Sequence, residues 1–311
     1  MRAIAEYILR GRLQAIFVAA SAAVMSLLLP PLSHVSGAAI GLVTLRRGMG
    51  EGLIVLAGIT VLLLIVSQFS SVDFALVQAF LLAMVFLAWL PTICVAGVLR
   101  ATSSLGESLS VTGVIAAIML VLTYVVVGDV AEWWRTLLTT MLSPVLSDPD
   151  NTMAQQDMDI VINDLSAIMT GLLVATLVFT TMINLFIARW AQAKLYNPGG
   201  FGEEFLALRV NNIARLLVIP VAIVSMLASE GMGRFATELL ILILALYSLQ
   251  GLALVYNVVK VKQASKAWLA GLYILMLIAF PKVIMVLSIA GYTDSWMDFR
   301  SRFMGNGRSE Q

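Results

Sequence analysis

No charged residue lies between Glu51 and Asp73, between Asp73 and Arg100, or between Glu107 and Asp129. Uncharged runs of this length constrain the fold more than any other feature of the chain. A bilayer core is crossed by about 20 apolar residues, and residues 53–69, LIVLAGITVLLLIVSQF, are typical of several such runs here. Inside hydrocarbon every backbone N–H and C=O must be satisfied within the segment or by a closed barrel. The runs are continuous rather than alternating, so helices are the expected solution. Only 12% of residues are charged against 60% hydrophobic, about half the charge a soluble surface carries. The expected fold is all-α, a polytopic transmembrane helical bundle.

Polar breaks divide the chain into nine apolar segments, at 13–29, 32–45, 53–68, 75–99, 109–127, 165–188, 212–228, 236–259 and 267–290. Segment 32–45, between Pro30-Pro31 and Arg46-Arg47, is short and rich in Gly and Ala. It either spans or re-enters, so eight full spans are the alternative count. The opening MRAIAEYILRGR precedes an apolar stretch longer than a signal-peptide core, and that stretch is expected to be a retained first helix. The reading is one multi-pass membrane domain over residues 1–311, with an external loop at 128–164 and a cytoplasmic elbow at 189–211.

Sidedness follows from Lys and Arg. With the N-terminus in the cytoplasm and nine alternating spans, thirteen basic residues face the cytoplasm and six face outward. The exception is the tail, whose Arg300, Arg302 and Arg308 then lie outside. The outer loop carries GDVAEWWRTLLTTML, expected as an interfacial amphipathic helix anchored by Trp133 and Trp134. Asp148, Asp150, Asp157, Asp159 and Asp164 follow it and are expected to form a solvated acidic loop rather than a calcium site, because no glycine-containing calcium loop accompanies them.

The elbow holds the longest polar phrase, RWAQAKLYNPGGFGEEF. Asn197, Pro198, Gly199 and Gly200 form a helix stop. Glu203 and Glu204 open the next helix, where carboxylates favour the positive end of the dipole. The phrase is punctuation first and a docking handle for a partner second.

Three phrases carry a resemblance: YNPGGFGEEF (196–205), DSWMDFR (294–300) and GAAIGLVTLRRGMGEG (37–52). Together they resemble the YybS-like family of uncharacterised bacterial multi-pass membrane proteins, which is distantly similar to the substrate-binding S-components of energy-coupling-factor transporters. The family itself implies a bacterial cytoplasmic membrane protein, and the distant similarity implies a subunit that binds a solute from outside and works with a coupling protein. S-components have about six spans, fewer than the nine read here. They also present a small-residue stripe on the first helix to their coupling subunit, and Ala15, Ala19 and Ala23 have that spacing. Such stripes also serve close packing inside a bundle.

Among charged residues, Lys282 in AFPKVIMVLSIAG lies within a span, where a charge is a functional candidate by default. The nine-span topology places His34, Asp73, Glu230, Glu238 and Asp294 toward the same outer side, so a polar cup with Lys282 as counter-ion is one expectation. Interfacial ion pairing is the other. Gln68, Gln78, Asn184 and Gln250 read as scattered intramembrane polar residues. One cysteine, Cys94, and one histidine, His34, leave no disulfide framework and no zinc cluster. No nucleotide-binding loop is present, so an ATP-driven step would need another protein. Catalytic residues, metal ligands, cofactors and nucleic-acid partners are not expected. The expected partners are the bilayer and a cytoplasmic or membrane coupling protein. The reading is a transport-related subunit for a small solute or lipid-like molecule, or a non-catalytic membrane scaffold.

Overall fold

The computed structural model describes residues 2–69, 74–146, 155–228 and 230–300, and every regular element among them is helical. A short amphipathic helix, α1 (Arg2–Arg10), buries Ala5 and Ile8. Gly11, in extended backbone, breaks it from α2 (Arg12–Met25). Next comes α3 (Leu32–Arg47), entered through Pro31, and α4 (Met49–Ser67). Gly48 stands between them at φ 101°, a conformation open to glycine and strained for other residues.

The fourth apolar segment is one long rod made of α5 (Phe74–Met84), a π-turn (Val85–Trp89) and α6 (Leu90–Thr102). Then come α7 (Leu105–Val127), α8 (Val130–Leu146) and α9 (Gln155–Ser166). After these, α10 (Met169–Tyr196), α11 (Gly200–Leu206) and α12 (Asn212–Leu227) lead into α13 (Glu230–Val261). The last two are α14 (Ala267–Ile278) and α15 (Phe280–Met297).

Among the described residues, five helical stretches are long and apolar enough to cross a membrane: 49–67, 77–102, 105–127, 169–196 and 231–261. Three shorter apolar helices, α2, α12 and α14, accompany them. The Gly-rich segment 32–45 is the centre of the bundle, with residues 36–45 of α3 all buried. Its glycines explain the position. A Cβ on Gly37 would collide with the Asn184 amide, and one on Gly41 would press on Ala188 and Thr92, so α3 approaches α10 and α6 at backbone distance.

In the segment expected as an external loop, 128–164, the described residues include two helices. The amphipathic helix is present as α8, with Trp134 buried and Trp133 exposed. Asp157, Asp159 and Asp164 stand on a second helix, α9, rather than in a loop, while Asp148 and Asp150 lie outside the described residues.

Segment 267–290 is the larger departure. Instead of one span it forms a helical hairpin, broken at Ala279 (φ −135°, ψ 47°). Ser288 donates to the Leu244 carbonyl, and Gln250 donates to Asp294, each pair 44 residues apart. A constant offset means that α15 runs parallel to α13. Since α14 starts where α13 ends, it must climb away and α15 must return. The close crossing uses Gly251 and Gly291, where an added Cβ would strike the Leu287 or Tyr247 carbonyl. The hairpin returns Arg300 to the elbow, where it meets the carbonyls of Leu206 and Leu208.

Candidate functional site

Three polar clusters sit at different depths of the bundle. The middle one is built on α3, α6 and α10. His34 Nδ1 and Asn184 Oδ1 are 2.9 Å apart, and Asn184 Nδ2 donates to Thr92 Oγ1 at 3.1 Å. Thr92 donates in turn to the Ala88 carbonyl at 2.6 Å, inside the π-turn. With His34 as donor, the other nitrogen of a neutral ring is left as an acceptor. Asn184 and Thr92 are fully buried, and His34 is half-buried.

One helical turn from this chain, on the same faces, are Trp89 and Thr181. Both are fully buried, and Trp89 Nε1 and Thr181 Oγ1 have no hydrogen-bond partner. Ser36 Oγ on α3 is also buried without one. Buried polar groups are almost always paired, and in hydrocarbon an unpaired one costs several kcal/mol. A π-turn beside them is a second irregularity of the kind that clusters at functional sites. The seam therefore holds hydrogen-bonding capacity that the bundle does not use.

The second cluster lies at the end away from the elbow. Glu238, 1% exposed, faces Tyr124 and the N–H groups of Thr170 and Gly171. Trp134 of α8 donates its indole N–H to Thr170 Oγ1 at 2.8 Å, which pins the amphipathic helix over this end.

The third cluster is a knot at the elbow. Asp294 and Arg300 are 1% and 4% exposed and form an ion pair with Arg300 Nε 3.3 Å from Asp294 Oδ2. Gln250 joins them: its amide donates to Asp294 and Gly291, and its oxygen accepts the Val210 N–H. Arg209 pairs with Asp298, and Arg215 donates to the Ser295 carbonyl. Burial holds the Arg300 guanidinium below its ordinary pKa, with Asp294 opposing.

Of the residues expected to form a cup, Asp294, Glu238 and His34 are described and fall in three different clusters. Asp294 belongs to the elbow knot. Glu238 precedes Gln250 by about 18 Å of helix, at the other end of α13. His34 is committed to Asn184 in the middle, and Lys282 is exposed on α15. Asp73 and the side chain of Glu230 lie outside the described residues. The hairpin is the physical reason that Asp294 moved: reversal at Ala279 carries it to the opposite end from the one a single span implies.

The partner-facing expectation also divides. Ala15, Ala19 and Ala23 are fully buried inside the chain's own bundle, so that stripe is a packing face, not a surface. At the elbow, Asn197, Pro198, Gly199 and Glu203 are exposed, whereas Gly200 is buried. Gly199 takes the left-handed conformation at φ 95° that a helix stop needs. Glu204 is occupied in a forked ion pair with Arg189. Among the described residues no group of three or more His, Cys, Asp or Glu is placed to hold a metal ion.

A family model described as a predicted membrane protein (DUF2232) matches residues 15–295. The chain belongs to this family. No curated protein and no solved structure matches it. The match runs from α2 to α15, so the seam and most of the elbow knot lie within the DUF2232 region.

Asn184 and Gln250 are the residues that sequence reading passed over. Each is a fully buried amide that joins two other elements. The usable signal was their type and depth: an uncharged amide near the middle of an apolar run must find partners on neighbouring helices.

Proposed function

We propose that the protein is a transport-related membrane subunit, without catalytic chemistry or an ATPase of its own, that takes a small neutral hydrogen-bonding solute into the seam between α3, α6 and α10. The observation that carries this reading is the unpartnered Trp89 indole N–H, fully buried one turn from the His34–Asn184–Thr92 chain. The seam residues His34, Asn184, Thr92, Trp89 and Thr181 include neither carboxylate nor permanent cation. Their chemistry suits a molecule bearing carbonyl or hydroxyl groups. The π-turn supplies the irregular backbone that lets α5 and α6 shift and admit it.

The location follows from charge. Arg2, Arg10, Arg12, Arg46, Arg47, Lys194 and Arg209 gather around the elbow end. The excess of basic residues supports a cytoplasmic location for that end, in the bacterial inner membrane of the proposed reading, with both the N-terminal helix and Arg300 on the cytoplasmic side. The likeness to S-components adds a cytoplasmic or membrane coupling protein that would supply energy.

A second reading, a membrane scaffold, draws on the exposed knuckle Asn197-Pro198-Gly199 with Glu203. Native mass spectrometry of the protein, gently extracted from its own membrane, separates the two. A small-molecule adduct that disappears in Asn184→Leu supports the solute subunit. An adduct-free chain carrying a protein neighbour that is lost when Gly199 and Glu203 are altered supports the scaffold. Adduct retention in Asn184→Leu would sink the seam.

A further inference from the structure

A different part of the molecule, on the outside of α2 and α4, carries a groove with a polar end. Two cavities adjoin there and share Leu13 and Gln14. One, of about 750 Å³, lies at the elbow end among Gly11, Arg12, Arg47 and Glu51. The other, of about 710 Å³, is an apolar groove leading away between α2 and α4, with Ile16, Phe17, Gly58, Val61 and Ile65 among its walls. Gly58 forms its closest point: a Cβ there would collide with Ile16, so the two helices nearly touch. Leu13, Phe17, Val61 and Ile65 are all more than half exposed and form its rim.

The head of the site carries one net positive charge. Arg12 is forked onto Glu51 at 2.8 and 2.5 Å, which leaves Arg47 unneutralised. Arg47 uses one N–H on the Leu9 carbonyl at 2.6 Å, and a guanidinium has five. Glu51 and Ile65 are separated by about 21 Å of helix, more than half the ~30 Å hydrocarbon core. A single negative head group with an acyl chain beneath it matches both the charge and the depth.

We propose that α2 and α4 hold one anionic phospholipid, its phosphate on Arg47 and Arg12 and one acyl chain along the groove from Leu13 to Ile65. Arginine suits this role because its planar fork meets phosphate oxygens in pairs. The groove gives the bound lipid a register that a smooth helix surface would not. Gly11, where α1 parts from α2, sets the amphipathic helix beside the head group.

The test is native mass spectrometry of the full-length protein in detergent, titrated with phosphatidylglycerol, with phosphatidylcholine of the same chains, and with inorganic phosphate. One phosphatidylglycerol per chain is expected, held more tightly than phosphatidylcholine. Arg12→Gln and Arg47→Gln should each weaken it about fivefold, the effect of one basic residue at an anionic membrane surface. Val61→Trp fills the groove from an exposed position and should abolish retention with the helical circular dichroism intact. It keeps the test valid if the arginine variants unfold. Equal retention of phosphatidylcholine, unchanged retention in Val61→Trp, or phosphate bound as well as the lipid would overturn the proposal. So would a dimer that Val61→Trp dissociates in place of a lipid adduct, because the groove would then be a contact between copies.

Discussion

The seam in the middle of the bundle and the knot at the elbow are both buried, both polar and both assembled from distant segments, yet they solve burial in opposite ways. The knot uses full charges and sets them against each other: Arg300 faces Asp294 and two backbone carbonyls, and Gln250 joins Asp294 to the elbow. The seam uses only neutral groups and leaves donors over, at Trp89 and Thr181. Both clusters leave buried polar atoms over, Asp294 Oδ1 and Arg215 Nε in the knot as well as Trp89 Nε1 and Thr181 Oγ1 in the seam. Only the knot sets opposite charges against each other, with Arg300 facing Asp294. On the proposed reading, the charged knot holds the architecture and the neutral seam takes the ligand.

The largest effect should come from breaking the knot on one side. Arg300→Leu strands a buried carboxylate, and losing one partner of a buried pair costs about 3–5 kcal/mol. Thermal unfolding in detergent should fall accordingly, and protease should cut between Leu206 and Asn211. Adding Asp294→Asn should recover much of the loss, since the stranded charge is removed. A small change in the single variant would mean that the knot is not what holds the elbow.

Asn184→Leu should do less to stability, about 1–3 kcal/mol, because it strands the neutral partners His34 and Thr92. It should nonetheless abolish solute retention. Smallest of all is Trp89→Phe. It removes an N–H that has no partner, so the unfolding midpoint should stay within about 0.5 kcal/mol or rise slightly. Reduced solute retention at unchanged stability would assign the spare donor to the ligand. Equal loss of both would make the seam a second structural knot and dissolve the contrast.

Much of this architecture is legible in sequence. Uncharged runs locate the long apolar helices, and the amphipathic pattern around Trp133-Trp134 foretells α8 as a helix. Gly199 predicts the helix stop at the elbow because its left-handed backbone is a local property. What escapes is whatever depends on contacts at long separation. No charged residue stands between Lys266 and Lys282, so the apolar run continues through the reversal at Ala279 without a break, and Pro281 sits in the first turn of α15, where proline is tolerated. Asp294 therefore reads as an outer residue until its partner Gln250 is known. The seam is hidden for the same reason: His34 and Asn184 are 150 residues apart, and Asn184 and Thr92 are 92 apart. The alanine stripe shows the limit from the other side, because spacing reveals that a face is small without saying who packs on it.

The hairpin's return gives synthesis of this protein an order of events. Leu206 emerges 94 residues ahead of Arg300, so the elbow's carbonyls wait with no guanidinium while α12, α13 and the hairpin are made and inserted. Until Arg300 arrives, the carbonyls of Leu206 and Leu208 lack the donor that joins them to the end of α15, so the elbow can close only after the hairpin has returned.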